Sequence, residues 1–354
     1  MDGRITIEAG RLHEFLTIVT ANLDAIDTHP LQKIRQKFSF LQPYFRRRNH
    51  KRHSRANVAH HYDLSDALYR LFLDDDRQYS CAYFTDQNDT LEAAQAAKKG
   101  HIAAKLLLEP GARVLDIGCG WGGLALNLAK DAEIEVKGIT LSKEQLAVAQ
   151  NRAEEAELGR QVTFDLLDYR EIDQKYDRIV SVGMFEHVGA SYFEEFFSTI
   201  GRTLKPDGVA VIHSIGRRSP PGDADPWIAK YIFPGGYIPA LSETLTAIEK
   251  SGLWVTDIEV LRLHYAETLR HWYDRFRARR HLARELYDER FCRMWEFYLA
   301  ACEMLFRHGD LMVFQIQLAH QRDAVPLTRD YMTSYDKQAA AESFPAPYLC
   351  QDRA

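Results

Sequence analysis

The sequence contains no apolar run that approaches the roughly 20 residues of a membrane-spanning helix, and its amino end lacks the apolar core of a signal peptide. Its five cysteines are odd in number and include no C-x-x-C pair, so neither a disulfide framework nor a metal site is expected. The formal net charge of −5 gives no global attraction to nucleic acid, which is therefore not expected as a partner. These absences predict a soluble, cytoplasmic protein in which any contact with a membrane comes from a local patch.

The 354 residues are enough to bury a substantial core, and 46% hydrophobic and 27% charged residues are ordinary for a globular protein. From residue 113 onward, apolar strands alternate with amphipathic helices, which predicts an α/β fold with parallel strands and crossover helices. The strands are predicted at 113–117, 134–139, 161–165, 177–182, 208–214, near 253–261 and at 310–320, and the helices at 90–108, 121–130, 142–157, 190–204, near 242–251 and throughout 265–307.

Composition also divides the chain. Residues 1–55 read as a helical extension that ends in a basic run, 56–320 as the main domain, and 321–354 as a polar tail. Prolines and glycines between about 216 and 250 interrupt the alternation, and an irregular insertion of this length predicts a lid or binding loop. Aromatic residues in 38–45 run into the basic residues 46–55, a composition that suits either docking on an anionic bilayer or a solvated linker.

Residues 113–123 (RVLDIGCGWGG) form the central motif, in which a short apolar strand stops at glycines and a helix follows. Strand, glycine turn and helix in this order place backbone N–H groups and a helix N-terminus against a ligand. Gly118, Gly120 and Gly122 carry no side chain that would block a cofactor.

Two cofactors fit a glycine turn of this kind, because Gly118, Gly120 and Gly123 also satisfy G-x-G-x-x-G. A dinucleotide site needs an acid at the end of the next strand to bind the ribose, and the sequence has none there. Asp116 instead precedes the first glycine, where its carboxylate can hold the turn and face a cationic ligand end. This arrangement favours S-adenosylmethionine (SAM) over a dinucleotide, and over a turn without a ligand.

Polar residues after the second and third strands are further cofactor candidates. Thr140, Ser142 and Gln145 can bind the ribose and amino-acid portions of SAM, although Ser142 with Gln145 is also a simple helix cap. Asp168 and Tyr169 follow the third strand, where an adenine amino group needs an acceptor and its ring a flat neighbour; the alternative is an ordinary loop.

Catalytic candidates follow the fourth and fifth strands. Glu186 and His187 are polar groups in an apolar turn, and His213 lies near the end of the fifth strand. Open α/β sheets bind ligands at the carboxyl ends of their strands, so these groups are expected to lie beside the SAM site.

Taken together, these segments resemble the cyclopropane-fatty-acyl-phospholipid synthases, the group that includes the mycolic acid cyclopropane synthases. The resemblance covers residues 56 to about 320. Its motifs are 57–64 (NVAHHYDL), 78–83 (QYSCAY), 114–123 (VLDIGCGWGG), 139–145 (ITLSKEQ), 184–189 (MFEHVG), 212–216 (IHSIG) and 265–273 (YAETLRHWY).

The resemblance implies a class I SAM-methyltransferase fold with a seven-stranded sheet, and a SAM-dependent one-carbon transfer to the double bond of an acyl chain. It adds Tyr79 and Ser80 to the cofactor site. It also implies a bicarbonate ion at the positions that match Cys81, Glu186, His213, Ile215 and Tyr265. The implied partners are unsaturated phospholipid acyl chains at the inner membrane surface, where the protein is expected to bind peripherally, and a second copy of the chain in a homodimer.

The expected chemistry begins with attack of an alkene on the sulfonium methyl, which leaves a carbocation on the acyl chain. A base must then remove a proton from the added methyl to close the ring, and bicarbonate or Glu186 alone can serve. Aromatic rings can stabilise the cation through their faces. Loss of the proton elsewhere gives a methylene- or methyl-branched chain. Two further alternatives are a small-molecule N-methyltransferase and a catalytically silent lipid-binding protein.

Overall fold

The computed structural model describes residues 1–7, 12–22, 65–222 and 225–333. Its strands are β1 (Arg113–Ile117), β2 (Glu135–Thr140), β3 (Val162–Leu166), β4 (Tyr176–Val182), β5 (Leu204–Arg217), β6 (Trp254–Val260) and β7 (Leu311–Ala319). Its α-helices are α1 (Leu12–Ala21), α2 (Asp66–Tyr69), α3 (Leu91–Leu106), α4 (Gly123–Asp131), α5 (Lys143–Glu155), α6 (Phe193–Thr203), α7 (Pro226–Tyr231), α8 (Leu241–Ser251), α9 (His264–Ala278), α10 (Arg280–Leu286) and α11 (Glu289–His308).

The strands form one seven-stranded sheet in the order β3-β2-β1-β4-β5-β7-β6, which confirms the predicted α/β fold. Strands β1 to β5 are mutually parallel, as the alternation of strands and helices predicts. The last strand departs from the parallel pattern, because β7 lies between β5 and β6 and is antiparallel to both. Strand order reverses between β1 and β4, and open α/β sheets bind ligands at such a point.

The central strands are apolar because both faces of the sheet are covered. In β1, Val114 packs with α3, α4 and α5 on one face, whereas Leu115 and Ile117 pack with α6 and α8 on the other. Asp116 is the exception in this strand: it pairs in register with Gly138 and Val180 and is buried. A charged residue at this position is costly unless it is paired or hydrogen-bonded.

A helical layer lies beside the sheet and shares one apolar cluster with residues 68–84. The helical region predicted at about 265–307 consists of three helices, α9, α10 and α11. The carboxylate of Asp288 caps the last of them by accepting from Phe291 N (2.6 Å). Helix α1 packs on α11, where His13 contacts Glu303 across a 3.0 Å hydrogen bond.

Other predicted features differ in detail. Strand β5 begins at Leu204, before the start predicted at 208, and its register with β4 is irregular between Tyr176 and Arg178. The predicted lid holds α7 and returns to the sheet through a bridge between Arg217 and Ala240. The basic run 46–55, the motif 57–64 and the tail after 333 lie outside the described residues. Among the helices in the described ranges, none has the length and apolarity that crossing a bilayer requires.

Candidate active site

A cleft of about 1150 Å³ opens at the carboxyl ends of β1 to β4, next to the point where the strand order reverses. One wall consists of the turns that follow these four strands, and the other consists of residues 77–80. Nine of the predicted cofactor residues line this cleft: Tyr79, Ser80, Asp116, Gly118, Gly120, Thr140, Gln145, Asp168 and Tyr169.

The glycine turn is held by the neighbouring strand. Gly118 N and Cys119 N both donate to Ile139 O, at 2.9 and 3.0 Å, and this replaces the predicted role of Asp116 in holding the turn. Gly118 has a φ of +83°, and a Cβ at this residue would lie 2.7 Å from Met184 Cβ. Gly122 does not line the cleft: it begins α4, and its missing side chain leaves room for Phe164.

Replacing Gly118 with alanine tests the close approach at this turn. Gly252→Ala is the matched control, because Gly252 has a similar φ of +76° and nothing within 4 Å of its Cβ position. The control is expected to lose about 1–2 kcal/mol from the left-handed backbone alone. Gly118→Ala adds the clash with Met184, so denaturant unfolding should show a further loss of about 1–3 kcal/mol. Calorimetric titration should show weaker SAM binding in Gly118→Ala only; equal effects of the two substitutions would contradict this role of the turn.

Asp116 is a buried carboxyl group that lines the cleft. Its side chain is 2% exposed, and its Oδ2 atom has no hydrogen-bond partner among the described residues. Burial raises the pKa of this carboxyl to about 7. A buried carboxylate oxygen without a partner is unfavourable unless a ligand satisfies it, so the site suits a group with cationic character.

The residues after β2 divide into a ligand-facing pair and a cap. Thr140 Oγ1 donates to Gln145 Oε1 at 3.1 Å, and both residues line the cleft. Ser142 does not line it: its Oγ accepts from Gln145 N at 3.2 Å, which caps α5. The alternative interpretation of Ser142 as a helix cap therefore describes its contacts.

After β3, Asp168 and Tyr169 both line the cleft. Arg170 donates to both oxygens of Asp168, at 2.8 and 2.6 Å, so this carboxylate is paired and any ligand shares it with the guanidinium. Arg170 also lies 5.4 Å from the centre of the Tyr169 ring. Burial raises the pKa of Tyr169 well above its usual value, so the phenol stays neutral.

The predicted catalytic residues lie outside the lining of the cleft, beyond Met184 and His187, which do line it. Glu186 is buried; its Oε1 accepts from Ile215 N at 2.6 Å, and its Oε2 has no partner in the described part of the chain. Burial raises the pKa of this carboxyl to about 7. Glu186 thus combines a fixed orientation with a free oxygen that can take up a proton near neutral pH.

His213 and Ile215 are two residues apart on β5 and therefore share one face of the strand. His213 Nδ1 lies 3.1 Å from Gln315 Nε2 of β7, and burial lowers the pKa of His213 well below its usual value. The imidazole is therefore neutral, and its Nδ1 accepts from the amide of Gln315.

Cys81, Tyr265 and Ile215 pack in one apolar cluster, which also contains the cleft residues Tyr79 and Trp121. The Cys81 thiol donates to Ala82 O at 3.3 Å, and burial raises its pKa, which keeps it a thiol. The ring of Tyr265 contacts Trp272 and Phe306. The structure thus joins Glu186 to this cluster through Ile215, whereas His213 contacts Gln315.

Several residues of the site escaped the sequence analysis. Gln78 and Trp121 line the cleft although the quoted motifs gave them no role. Lys98, on α3, is fully buried and donates to Gln78 and Ser80. A signal for Lys98 exists, because it occupies the buried face of α3 with Leu91, Ala94 and Ile102, at helical spacing.

Comparison with known proteins places these observations in a family. The family model described as mycolic acid cyclopropane synthetase matches residues 49–316. A cyclopropane-fatty-acyl-phospholipid synthase of Escherichia coli is 45% identical over 256 residues, which cover 72% of this chain. A tuberculostearic acid methyltransferase of Mycobacterium tuberculosis is 38% identical over 324 residues, covering 88% of this chain and 75% of the relative.

Among solved structures, a mycolic acid cyclopropane synthase crystallised with SAH and CTAB is 36% identical, with a TM-score of 0.70, and the match covers 75% of this chain and 97% of the other. The match to the E. coli synthase spans 65% of that protein's length. The architecture is that of the class I SAM methyltransferases, and the chain belongs to the mycolic acid cyclopropane synthetase family.

Proposed function

We propose that this protein transfers a one-carbon unit from SAM to the double bond of an unsaturated fatty acyl chain of a phospholipid and so forms a cyclopropane ring. The observation that carries the proposal is a pair of buried carboxylates, Asp116 and Glu186, each with one oxygen that lacks a partner among the described residues. Asp116 lines the cleft, and Glu186 lies beyond it beside an apolar, aromatic cluster. One suits a cationic cofactor and the other suits a proton released from an apolar substrate.

The cofactor site would use the nine predicted residues that line the cleft. Among these nine, Asp116 is the buried carboxylate whose Oδ2 atom has no hydrogen-bond partner in the described part of the chain. SAM, when bound, supplies an electrophilic methyl group on a sulfonium. The chain's own contribution is to fix this group and exclude water. Tyr79 and Trp121 belong both to the cleft and to the apolar cluster. A substrate tail in that cluster would therefore reach the cofactor across apolar side chains that exclude water.

Glu186 is proposed as the base, because its Oε2 is the free oxygen and its pKa of about 7 allows it to accept a proton at neutral pH. Bicarbonate held by Cys81, Glu186, His213, Ile215 and Tyr265 remains part of the proposal. The free oxygen of Glu186 suits such a ligand, but Ile215 N already donates to Glu186. Glu186 acting alone is the simpler form of the proposal.

Aromatic faces of the protein would shield the cation that develops on the acyl chain. Phe233 is one candidate for this role, since its ring centre lies 6.1 Å from that of His187 of the cleft and 5.9 Å from that of Tyr298 of the apolar cluster. Tyr83 stacks between His101 and His264 instead, and Tyr273 packs against His13. These contacts give Tyr83 and Tyr273 packing roles.

Peripheral binding at the inner membrane surface and a homodimer belong to the same proposal. Supporting the first, Phe15 and Ile18 on α1 are exposed apolar residues, and the basic run 46–55 follows them in sequence. A second candidate product is a methylene- or methyl-branched chain, which the similarity to a tuberculostearic acid methyltransferase favours. All of these products begin with the same methyl transfer. A ring or a methylene branch then forms by loss of a proton, whereas a saturated methyl branch also requires a two-electron reductant.

Mass spectrometry of total fatty acids tests the proposal. Cells that express the protein and lack a similar enzyme are expected to convert unsaturated chains to products heavier by one methylene group, with fragmentation distinguishing a ring from a branch. Cells that express Glu186→Gln serve as the control and should show no conversion. Methylation of a small amine without any change in the fatty acids would instead identify an N-methyltransferase.

A further inference from the structure

A buried lysine lies behind the wall formed by residues 77–80. Lys98 is 0% exposed and does not line the cleft. Its Nζ donates to Gln78 Oε1 at 2.5 Å and to Ser80 Oγ at 2.9 Å, and both of these residues do line it. The ammonium group is therefore one residue removed from any ligand in the cleft.

Lys98 acts together with Gln95, which lies one turn earlier on α3. Gln95 Nε2 donates to Ser80 O at 2.9 Å and to Gln78 O at 3.3 Å. Two side chains of one helix thus hold both the backbone and the side chains of the segment 78–80. This segment is irregular in the structure and has no ladder hydrogen bonds of its own to define its position.

The segment 78–80 spans the cleft from the glycine turn to the end of β4. Gln78 Nε2 lies so close to the position of a Cβ on Gly123 that the two atoms would clash. At the other end, Ser80 Cβ is 3.9 Å from the corresponding position on Gly183. A small displacement of this segment would change the width of the cleft at both ends.

Stability does not account for this lysine. Within the described ranges no carboxylate forms an ion pair with Lys98, and the acceptors of its ammonium are a neutral amide and a hydroxyl. Burial lowers the pKa of Lys98 to about 8. Asp74 and Asp76 are close enough to raise this pKa, but neither forms a direct ion pair with Lys98. Replacing such a buried charge with an apolar residue of similar shape is often neutral or stabilising.

We infer that Lys98 is a positioning residue for the cofactor: its ammonium fixes Gln78 and Ser80, and through them Tyr79, in the arrangement that SAM binding requires. The inference rests on the proposed function, since it takes SAM as the ligand of the cleft. It assigns Lys98 no contact with the cofactor and no part in the proton transfer.

Lys98→Met removes the ammonium and keeps an unbranched side chain. Its matched control is Lys105→Met, because Lys105 is equally buried on the same helix but pairs with Glu259 at 2.5 Å, away from the cleft. Calorimetric titration is expected to show SAM affinity at least tenfold weaker in Lys98→Met and within twofold of wild type in Lys105→Met. Thermal unfolding without ligand should show no loss of stability in Lys98→Met and a clear loss in Lys105→Met.

The outcomes separate the inference from the function on which it rests. Wild-type protein that fails to bind SAM would refute the proposed function, whereas equal SAM affinity in wild type and Lys98→Met would refute only the role of Lys98. If Lys98→Met loses both stability and SAM affinity, the SAM affinities of Ser80→Ala and of the double variant show whether Lys98 acts through Ser80. Effects on affinity that are not additive support positioning through Ser80, and additive effects overturn it.

Discussion

Glu186→Gln is expected to lower kcat by about 10³-fold while SAM binds with nearly unchanged affinity. The glutamine keeps an acceptor for Ile215 N, so the local hydrogen bond that orients the side chain is retained. It loses the oxygen that takes up a proton, which is the Oε2 atom that has no partner in the described part of the chain. Single-turnover kinetics and calorimetric titration of SAM measure the two quantities separately.

Glu303→Gln is the control for loss of a buried carboxylate, because Glu303 pairs with Arg307 at 2.8 Å on α11 and is remote from the cleft. It should lower stability and leave kcat nearly unchanged. Because the base must be ionised, kcat of the wild type should rise with pH through about 7, the pKa of Glu186. The residual activity of Glu186→Gln should not show this rise with pH. Loss of SAM affinity with retained turnover would count against Glu186 as the base.

Asp116→Asn is expected to weaken SAM binding by about 100-fold, since it removes the buried charge that a cationic ligand group would face. The unliganded protein should unfold at the same temperature or higher, because the wild-type carboxylate has an oxygen without a partner among the described residues. Calorimetric titration measures the SAM affinity, and thermal unfolding measures the stability of the unliganded protein. A variant that loses stability and keeps its SAM affinity would assign Asp116 a structural role.

The pH dependence of stability gives Asp116 a second test. Its pKa is raised from 3.8 to about 7 by burial, so the folded protein binds this proton more tightly than the unfolded chain. Its contribution to stability is thus present below about pH 4 and is lost as the pH rises through about 7. Asp116→Asn should lack that component, so the difference in the free energy of unfolding between variant and wild type should increase across this window.

Strong local patterns explain why the sheet could be predicted from the sequence. The apolar strands end at glycines or capping residues, and the motif 113–123 alone indicated the strand, the turn and the helix that follow one another here. The alternation of strands and helices did not indicate that β7 lies between β5 and β6. More than 90 residues separate β5 from β7 in the sequence, and pairing over such a distance leaves no local pattern. The break of the 265–307 region into three helices was equally hidden, since apolar periodicity continues through both interruptions.

Residue types at strand ends identified much of the cleft, because a parallel sheet brings those ends to one edge. Gly122 and Ser142 were predicted as cofactor residues for the same reason, since each follows a strand. In the structure they do not line the cleft, and helix capping and close packing account for their contacts. Lys98 was missed because its contacts depend on how α3 docks against residues 78–80. One indication that Lys98 is buried was present in the sequence, namely its position on the apolar face of α3.

The position of β7 also bears on how the protein is made. This strand is nearly the last described part of the chain, yet it supplies Gln315 to His213 and fills the gap between β5 and β6. During translation, the edges of β5 and β6 that pair with β7 stay unpaired until residues 311–319 leave the ribosome. A premature stop codon before residue 311 would therefore do more than shorten the protein: it would leave an open, aggregation-prone sheet, and nascent chains at that stage are where a chaperone would be needed most.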